Sequence, residues 1–291
     1  MSDFRQRAIE LYDAFTHEHH DRRKLLTQMV ALAGSVAAAE VLITGIAASP
    51  ASAAMIDPKD PRLNAQDFIG QDGVRQGYWA APRRARGRLS SVMVIHENRG
   101  LTPHIQDVTR KLALAGFYAF APDFLAPLGG TPADESKARE MIGKLDLAVA
   151  TANGVAMIET LAAGRSRGGK VGAIGFCWGG AMVNRLAVTA AGKPLAACVP
   201  YYGSAPNPAE APKVTAAIMQ QLAGLDTRVN GTALPWGEAL KAAGKNVTTH
   251  VYDGANHAFN NDTSVERYSK PVADLAWERT TAFLHAQLDK S

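Results

Sequence analysis

Cysteine is scarce: the 291 residues contain two, Cys177 and Cys198. Two are too few for a disulfide framework or a structural zinc site, and both are expected to be free. No Lys/Arg-rich run interleaved with aromatics occurs. With a formal net charge of only +4, the chain gives no case for nucleic-acid binding. No internal repeat or low-complexity tract is present, which excludes solenoids, propellers and long disordered linkers. No apolar run of about twenty residues is free of charge, because Glu40 interrupts the one over 29–48. What remains is an ordinary globular composition, 47% hydrophobic and 20% charged, ample for a sizeable core.

The first 53 residues differ from the rest. Residues 1–21 are polar and charged, Arg22-Arg23-Lys24 precedes the apolar run, and Ala51-Ser52-Ala53 closes it as a small-x-small cleavage pattern. A charged region, an apolar region and a small-residue site describe a secretory signal, and the arginine pair suggests the twin-arginine route. The expectation is export, to the periplasm, with 1–53 removed and no stable membrane span left afterwards. The competing readings are a cytoplasmic protein whose N-terminal helix packs on the domain, or an anchor formed by 25–48. Residues 54–74 read as an extended arm, and 75–291 as one domain.

Within that domain, apolar runs alternate with helical patterns. Ser91-Val92-Met93-Val94-Ile95 is a continuous run typical of a strand buried on both faces. Thr102 and Pro103 then open a helix as N-cap and first residue, and Gly116 stops it. Further strands are expected over 74–80, 117–121, 170–174, 195–202, 216–222 and 247–252, with helices over about 135–163 and 271–288. Strand–helix alternation predicts an α/β fold with a mostly parallel, doubly wound sheet.

The stretch that organises the domain is Gly175-Phe176-Cys177-Trp178-Gly179-Gly180. It follows a short strand and precedes a helix, the nucleophile-elbow pattern G-x-S-x-G with cysteine in place of serine. Small residues are required there because the turn is strained and the helix packs closely on the strand. The helix N-terminus, aimed at the turn, favours a thiolate. Cys177 also reads as a small buried hydrophobe. A dinucleotide fingerprint fits poorly, since Gly172 and Gly175 do not complete G-x-G-x-x-G and no acidic residue follows about twenty positions on.

Ligands of open α/β sheets bind at the carboxyl ends of strands. Asp226 follows one predicted strand and His257 follows the last. The order Cys177, Asp226, His257 is that of the α/β-hydrolase triad, with Asp253 as a rival acid and turn formation as the plain alternative for both aspartates. His96-Glu97 ends another strand. It is not a metalloprotease helix, because position 100 is glycine. There the backbone N–H groups of Asn98 and Trp178 are candidate oxyanion donors, and Glu97 either reaches the thiol or caps the next turn.

Across about 75–288 the chain resembles the dienelactone hydrolase (carboxymethylenebutenolidase) family. The resemblance rests on the elbow, on His96-Glu97-Asn98-Arg99-Gly100, on Gly224-Leu225-Asp226 and on Gly254-Ala255-Asn256-His257-Ala258-Phe259. It implies the α/β-hydrolase fold, a Cys177–Asp226–His257 triad, a glutamate at Glu97 that contacts the resting thiol, and a small ester or lactone substrate. No metal or organic cofactor is implied, and nothing indicates an oligomeric state. One departure is visible. Family enzymes that open dienelactone hold its carboxylate with arginines, one a few residues past the histidine; here that stretch is Asn260-Asn261-Asp262, the nearest arginine is Arg267, and Arg139 aligns only loosely with the other. A thiol acyltransferase on the same triad, or a redox-sensing protein that keeps only Cys177, are the other classes compatible with these residues.

Overall fold

The apolar runs become the centre of an eight-stranded sheet. The structure, a computed structural model, describes residues 2–17, 21–46, 55–85, 87–164 and 166–289. The strands are β1 (Leu63–Ile69), β2 (Arg75–Pro82), β3 (Leu89–Ile95), β4 (Tyr118–Pro122), β5 (Ser166–Phe176), β6 (Leu195–Tyr201), β7 (Ala217–Ala223) and β8 (Val247–Tyr252). They lie in the order β1-β2-β4-β3-β5-β6-β7-β8. The β1–β2 and β2–β4 pairs at one edge are antiparallel, and the remaining pairs are parallel. β3 is buried at every position after Leu89, as its unbroken apolar sequence demands of a strand covered on both faces.

Helices flank both faces: α4 (Pro103–Leu114), α5 (Glu135–Gly143), α6 (Leu147–Gly164), α7 (Trp178–Thr189), α8 (Thr227–Ala242) and α9 (Lys270–Leu288). One buried cluster joins α4 and α9 to one face of the sheet through Ile105, Val108, Leu112, Phe283 and Leu284. A second joins α6, α7 and α8 to the other through Ile158, Val183, Leu186 and Trp236. This is the α/β-hydrolase architecture, a mostly parallel doubly wound sheet in a single domain.

Two expected boundaries change. The helical stretch over 135–163 divides, because Asp146 turns its side chain back to accept the N–H groups of Ala148 (2.8 Å) and Val149 (3.1 Å) and so opens a new helix. The arm over 54–74 contains β1, an edge strand with only Leu63 fully buried.

The N-terminal segment forms α1 (Ser2–His17), α2 (Arg22–Ala33) and α3 (Val36–Ile46). Gly34, with φ of 82°, takes the left-handed conformation that ends α2. The axis bends by 111° between α2 and α3, so the apolar run is broken into two helices. Ala8, Ile9, Tyr12, Leu25, Met29, Ala39 and Ile46 bury one another in a small core. The cleavage pattern at Ala51-Ser52-Ala53 lies outside the described residues.

Candidate active site

Cys177 sits at the end of β5, with φ of 56° and ψ of −112°, a conformation rare for a side-chain-bearing residue. The strain is held in place from both sides. Its N–H donates to the Tyr201 carbonyl (3.1 Å), and its own carbonyl accepts the Ala181 N–H (3.0 Å) in the first turn of α7. The glycines make this turn possible. A Cβ on Gly175 would run into the carbonyl of Gly179, and one on Gly179 into the carbonyl of Ile95. The other two non-glycine residues with positive φ, Tyr202 and Ala258, stand beside the same site among the described residues. Such conformations persist where the surroundings over-determine them.

Asp226 follows β7 and caps α8, its Oδ1 accepting the Val229 N–H at 3.0 Å. Its Oδ2 lies 2.5 Å from Nδ1 of His257, in the loop after β8. Asp253, the rival acid, lies in an exposed turn before that loop. Burial would lower the proton affinity of His257, but the Asp226 carboxylate and Cys177 on the other side outweigh it, and its pKa rises to about 10. Burial likewise works against ionisation of Asp226, yet the imidazole brings its pKa down to about 2. The two groups are therefore a strongly coupled, charge-stabilising pair.

The loop after β3 supplies the opposite wall. His96 is fully buried and held neutral by burial. Its Nε2 accepts the Phe124 N–H (3.1 Å), so Nδ1 carries the proton and donates to the Glu97 carbonyl (2.8 Å). Its ring stacks on Trp178, 5.5 Å between centroids. These contacts lock the loop against the elbow. The Glu97 carboxylate points inward and accepts from Asn261 Nδ2 at 2.8 Å, while Asn261 Oδ1 is itself held by Thr263. Glu97, Asn98, Cys177 and His257 line one small recess together with Arg99, Arg267 and Thr16.

The structure thus brings Cys177, Asp226, His257, Glu97, Asn98 and Trp178 to one end of the sheet. The recess adjoins a cavity of about 550 Å³ lined by Cys177, Trp178, Asn98, Tyr202 and His257, and by Arg139 and Arg228. Sequence reasoning missed Asn261, Tyr202 and Arg228. Tyr202 had a signal, lying directly after β6, but Asn261 meets Glu97 across 164 positions and had none. Arg267, the arginine past the histidine, is buried and engaged by Ser264 Oγ (3.0 Å) and Asp13 (2.9 Å). No group of three or more His, Cys, Asp or Glu is placed to hold a metal ion among the described residues.

The dienelactone hydrolase family profile matches residues 76–288. A Salmonella typhi relative bearing the name "Putative carboxymethylenebutenolidase" is 30% identical over 250 residues, 80% of this chain and 91% of its own length. Among solved structures, a dienelactone hydrolase-named protein from Klebsiella pneumoniae is 26% identical, with a TM-score of 0.67 over 76% of this chain and 98% of its own. The esterase rPPE, only 15% identical, shares the fold with a TM-score of 0.65 over 99% of this chain and 98% of its own. The chain belongs to the dienelactone hydrolase family, a family of ester and lactone hydrolases.

Proposed function

We propose that this hydrolase cleaves a small ester or lactone through a cysteinyl-acyl intermediate on Cys177, Asp226 and His257. The observation that carries the reading is the orientation of His257. Its Nδ1 is fixed by Asp226 at 2.5 Å, and its other edge is turned to Cys177 at the elbow. In that arrangement the imidazole takes the thiol proton, and the sulfur attacks the acyl carbon. The imidazolium then gives the proton to the departing alkoxide as the C–O bond breaks. Water, deprotonated by the same imidazole, attacks the thioester and releases the acid and the thiol.

Negative charge on the tetrahedral oxygen falls to the backbone N–H groups of Trp178 and Asn98, one at the start of α7 and one on the loop that His96 locks. A donor of this kind contributes roughly 3 kcal/mol to the transition state. Glu97, held by Asn261 and facing the same recess, is assigned to orient the resting thiol. A cavity of about 550 Å³ suits a small acyl group, and Arg139 and Arg228 on its wall favour a substrate that carries a carboxylate.

The test is hydrolysis of a short-chain aryl ester by the full chain and by Cys177→Ala, with intact-mass analysis of rapidly quenched reactions. Loss of turnover in the variant, with an acyl adduct on the wild-type Cys177 peptide, is expected. Turnover that survives in Cys177→Ala overturns the reading.

A further inference from the structure

The N-terminal helices lie on the loops that build the site, and their contacts there are specific. Asn98, whose backbone N–H is assigned to the oxyanion, donates from Nδ2 to the Thr16 carbonyl at 3.2 Å. Arg267, in the recess beside Glu97, is paired with Asp13 and lies 5.3 Å from the centre of the Tyr12 ring. Arg5 reaches the Glu266 carbonyl (2.9 Å) and its carboxylate, and Ser264 Oγ donates to the Ile46 carbonyl (2.7 Å) at the end of α3. Both ends of the helical unit are thus tied to the segment just past His257. The last turn of α1 then reaches the cavity itself. Phe15 and Thr16 line it together with Cys177, with the Arg139 guanidinium 5.0 Å from the Phe15 ring.

We propose that α1–α3 are a cap retained in the working enzyme, and that Phe15 is a specificity-determining residue that limits the size of the acyl group admitted to Cys177. An aromatic ring at that place fills volume that a longer or branched acyl chain would need, and it covers Arg139. The Asp13–Arg267 pair holds the cap down. Small acyl esters and lactones fit under it and long-chain esters do not. This assignment rests on the ester-hydrolase reading for its substrate, but not for its geometry, and the same geometry opposes removal of residues 1–53 as an export signal.

The experiment uses the full chain, with Phe15→Ala and Asp13→Asn as variants. Alkylation of Cys177 by iodoacetamide and by fluorescein maleimide is followed by peptide mass spectrometry, which separates Cys177 from the buried Cys198. In parallel, kcat/KM is compared for aryl acetate and aryl octanoate. Phe15→Ala is expected to speed the bulky maleimide at least about tenfold while iodoacetamide changes less than about twofold, and to move the octanoate-to-acetate ratio upward by a similar factor. Asp13→Asn is expected to speed both reagents. Phe15 is part-buried and packs on the edge of the small helical core, but a loss of stability alone does not change a ratio between two substrates.

Unchanged alkylation and an unchanged acyl-length ratio in both variants overturn the cap while leaving ester hydrolysis standing. Altered alkylation in a chain that hydrolyses no ester leaves the cap standing and removes the substrate assignment. An intact mass showing that the chain produced with its own N-terminus matures by losing residues 1–53 also overturns the cap.

Discussion

Asp226 divides its carboxylate between two partners: Oδ2 meets His257 Nδ1 at 2.5 Å, and Oδ1 caps α8 through the Val229 N–H at 3.0 Å. The helix therefore positions the acid that positions the imidazole. The two tasks separate by substitution. Asparagine still caps a helix but cannot hold a charged imidazole, so Asp226→Asn is expected to lower kcat by on the order of 10⁴-fold and to lose the stability of the charged pair while keeping that of the cap. Asp226→Ala is expected to lose the same activity and about 1 kcal/mol of stability in addition. Steady-state kinetics beside urea unfolding of the two variants checks both halves.

The same pair fixes a pH dependence. The folded pKa of His257, about 10, lies above its ordinary 6.5, so the stabilisation it brings is complete below 6.5 and is lost as pH rises through about 10. The folded pKa of Asp226, about 2, lies below its ordinary 3.8, so its contribution is complete above 3.8 and is lost as pH falls through about 2. Thermal unfolding between pH 5 and pH 10 is the measurement. The stability gap between wild type and His257→Gln is expected to shrink across the upper part of that range. A gap that widens towards pH 10 would contradict the charged pair.

The elbow makes a steric prediction. Gly179 faces the carbonyl of Ile95, which belongs to the central strand β3 and cannot move aside as a side chain would. Gly179→Ala is expected to cost about 3 kcal/mol, the upper end for overpacking, and to displace the N–H of Trp178. Urea unfolding gives the first quantity. A fall in kcat larger than the fall in stability explains would show the second.

How far these features were legible follows from where their causes lie. β3 and β5 declare themselves locally, because a strand covered on both faces must be apolar throughout. Asp226 and His257 are legible because each follows a predicted strand, β7 and β8, and strand ends converge. β1 is not, since Asn64, Gln66 and Asp67 suit its exposed edge and only Leu63 reports burial. A charged segment followed by an Ala-rich apolar run has the composition of a leader whatever it packs against, so the contacts of the N-terminal helices leave no mark in it. Their partners, Ser264, Glu266 and Arg267, lie more than two hundred positions away. Asn261 is equally silent: only the fold brings its amide to Glu97.

Glu97 is separable from its packing. Glu97→Ala leaves the buried amide of Asn261 without its acceptor and is expected to cost about 1–3 kcal/mol. Glu97→Gln keeps an oxygen for that bond and removes the charge. The glutamine variant is expected to hold the wild-type unfolding midpoint while its pH–rate profile and the iodoacetamide reactivity of Cys177 shift. A glutamine variant with both unchanged would confine Glu97 to a structural part.

The last prediction concerns the substrate's far end. Arg267, the arginine past the histidine, is occupied by Asp13 and Ser264. Arg139 is differently placed. One of its amino groups donates to Ser136 Oγ at 3.1 Å, and the other, Nη1, is buried without a hydrogen-bond partner at the wall of the cavity. Arg228 lines the same wall from α8. A carboxylate on the substrate would satisfy that donor, and a neutral group of the same shape would not. Arg139→Ala is accordingly expected to raise KM for an aryl ester of a short dicarboxylic acid about tenfold, roughly 1.4 kcal/mol, and to change KM for the isosteric neutral ester by less than about twofold. Arg228→Ala is expected to act in the same direction. Equal effects on the two esters would assign Arg139 to the support of Phe15 and leave the acid end of the substrate to Arg228.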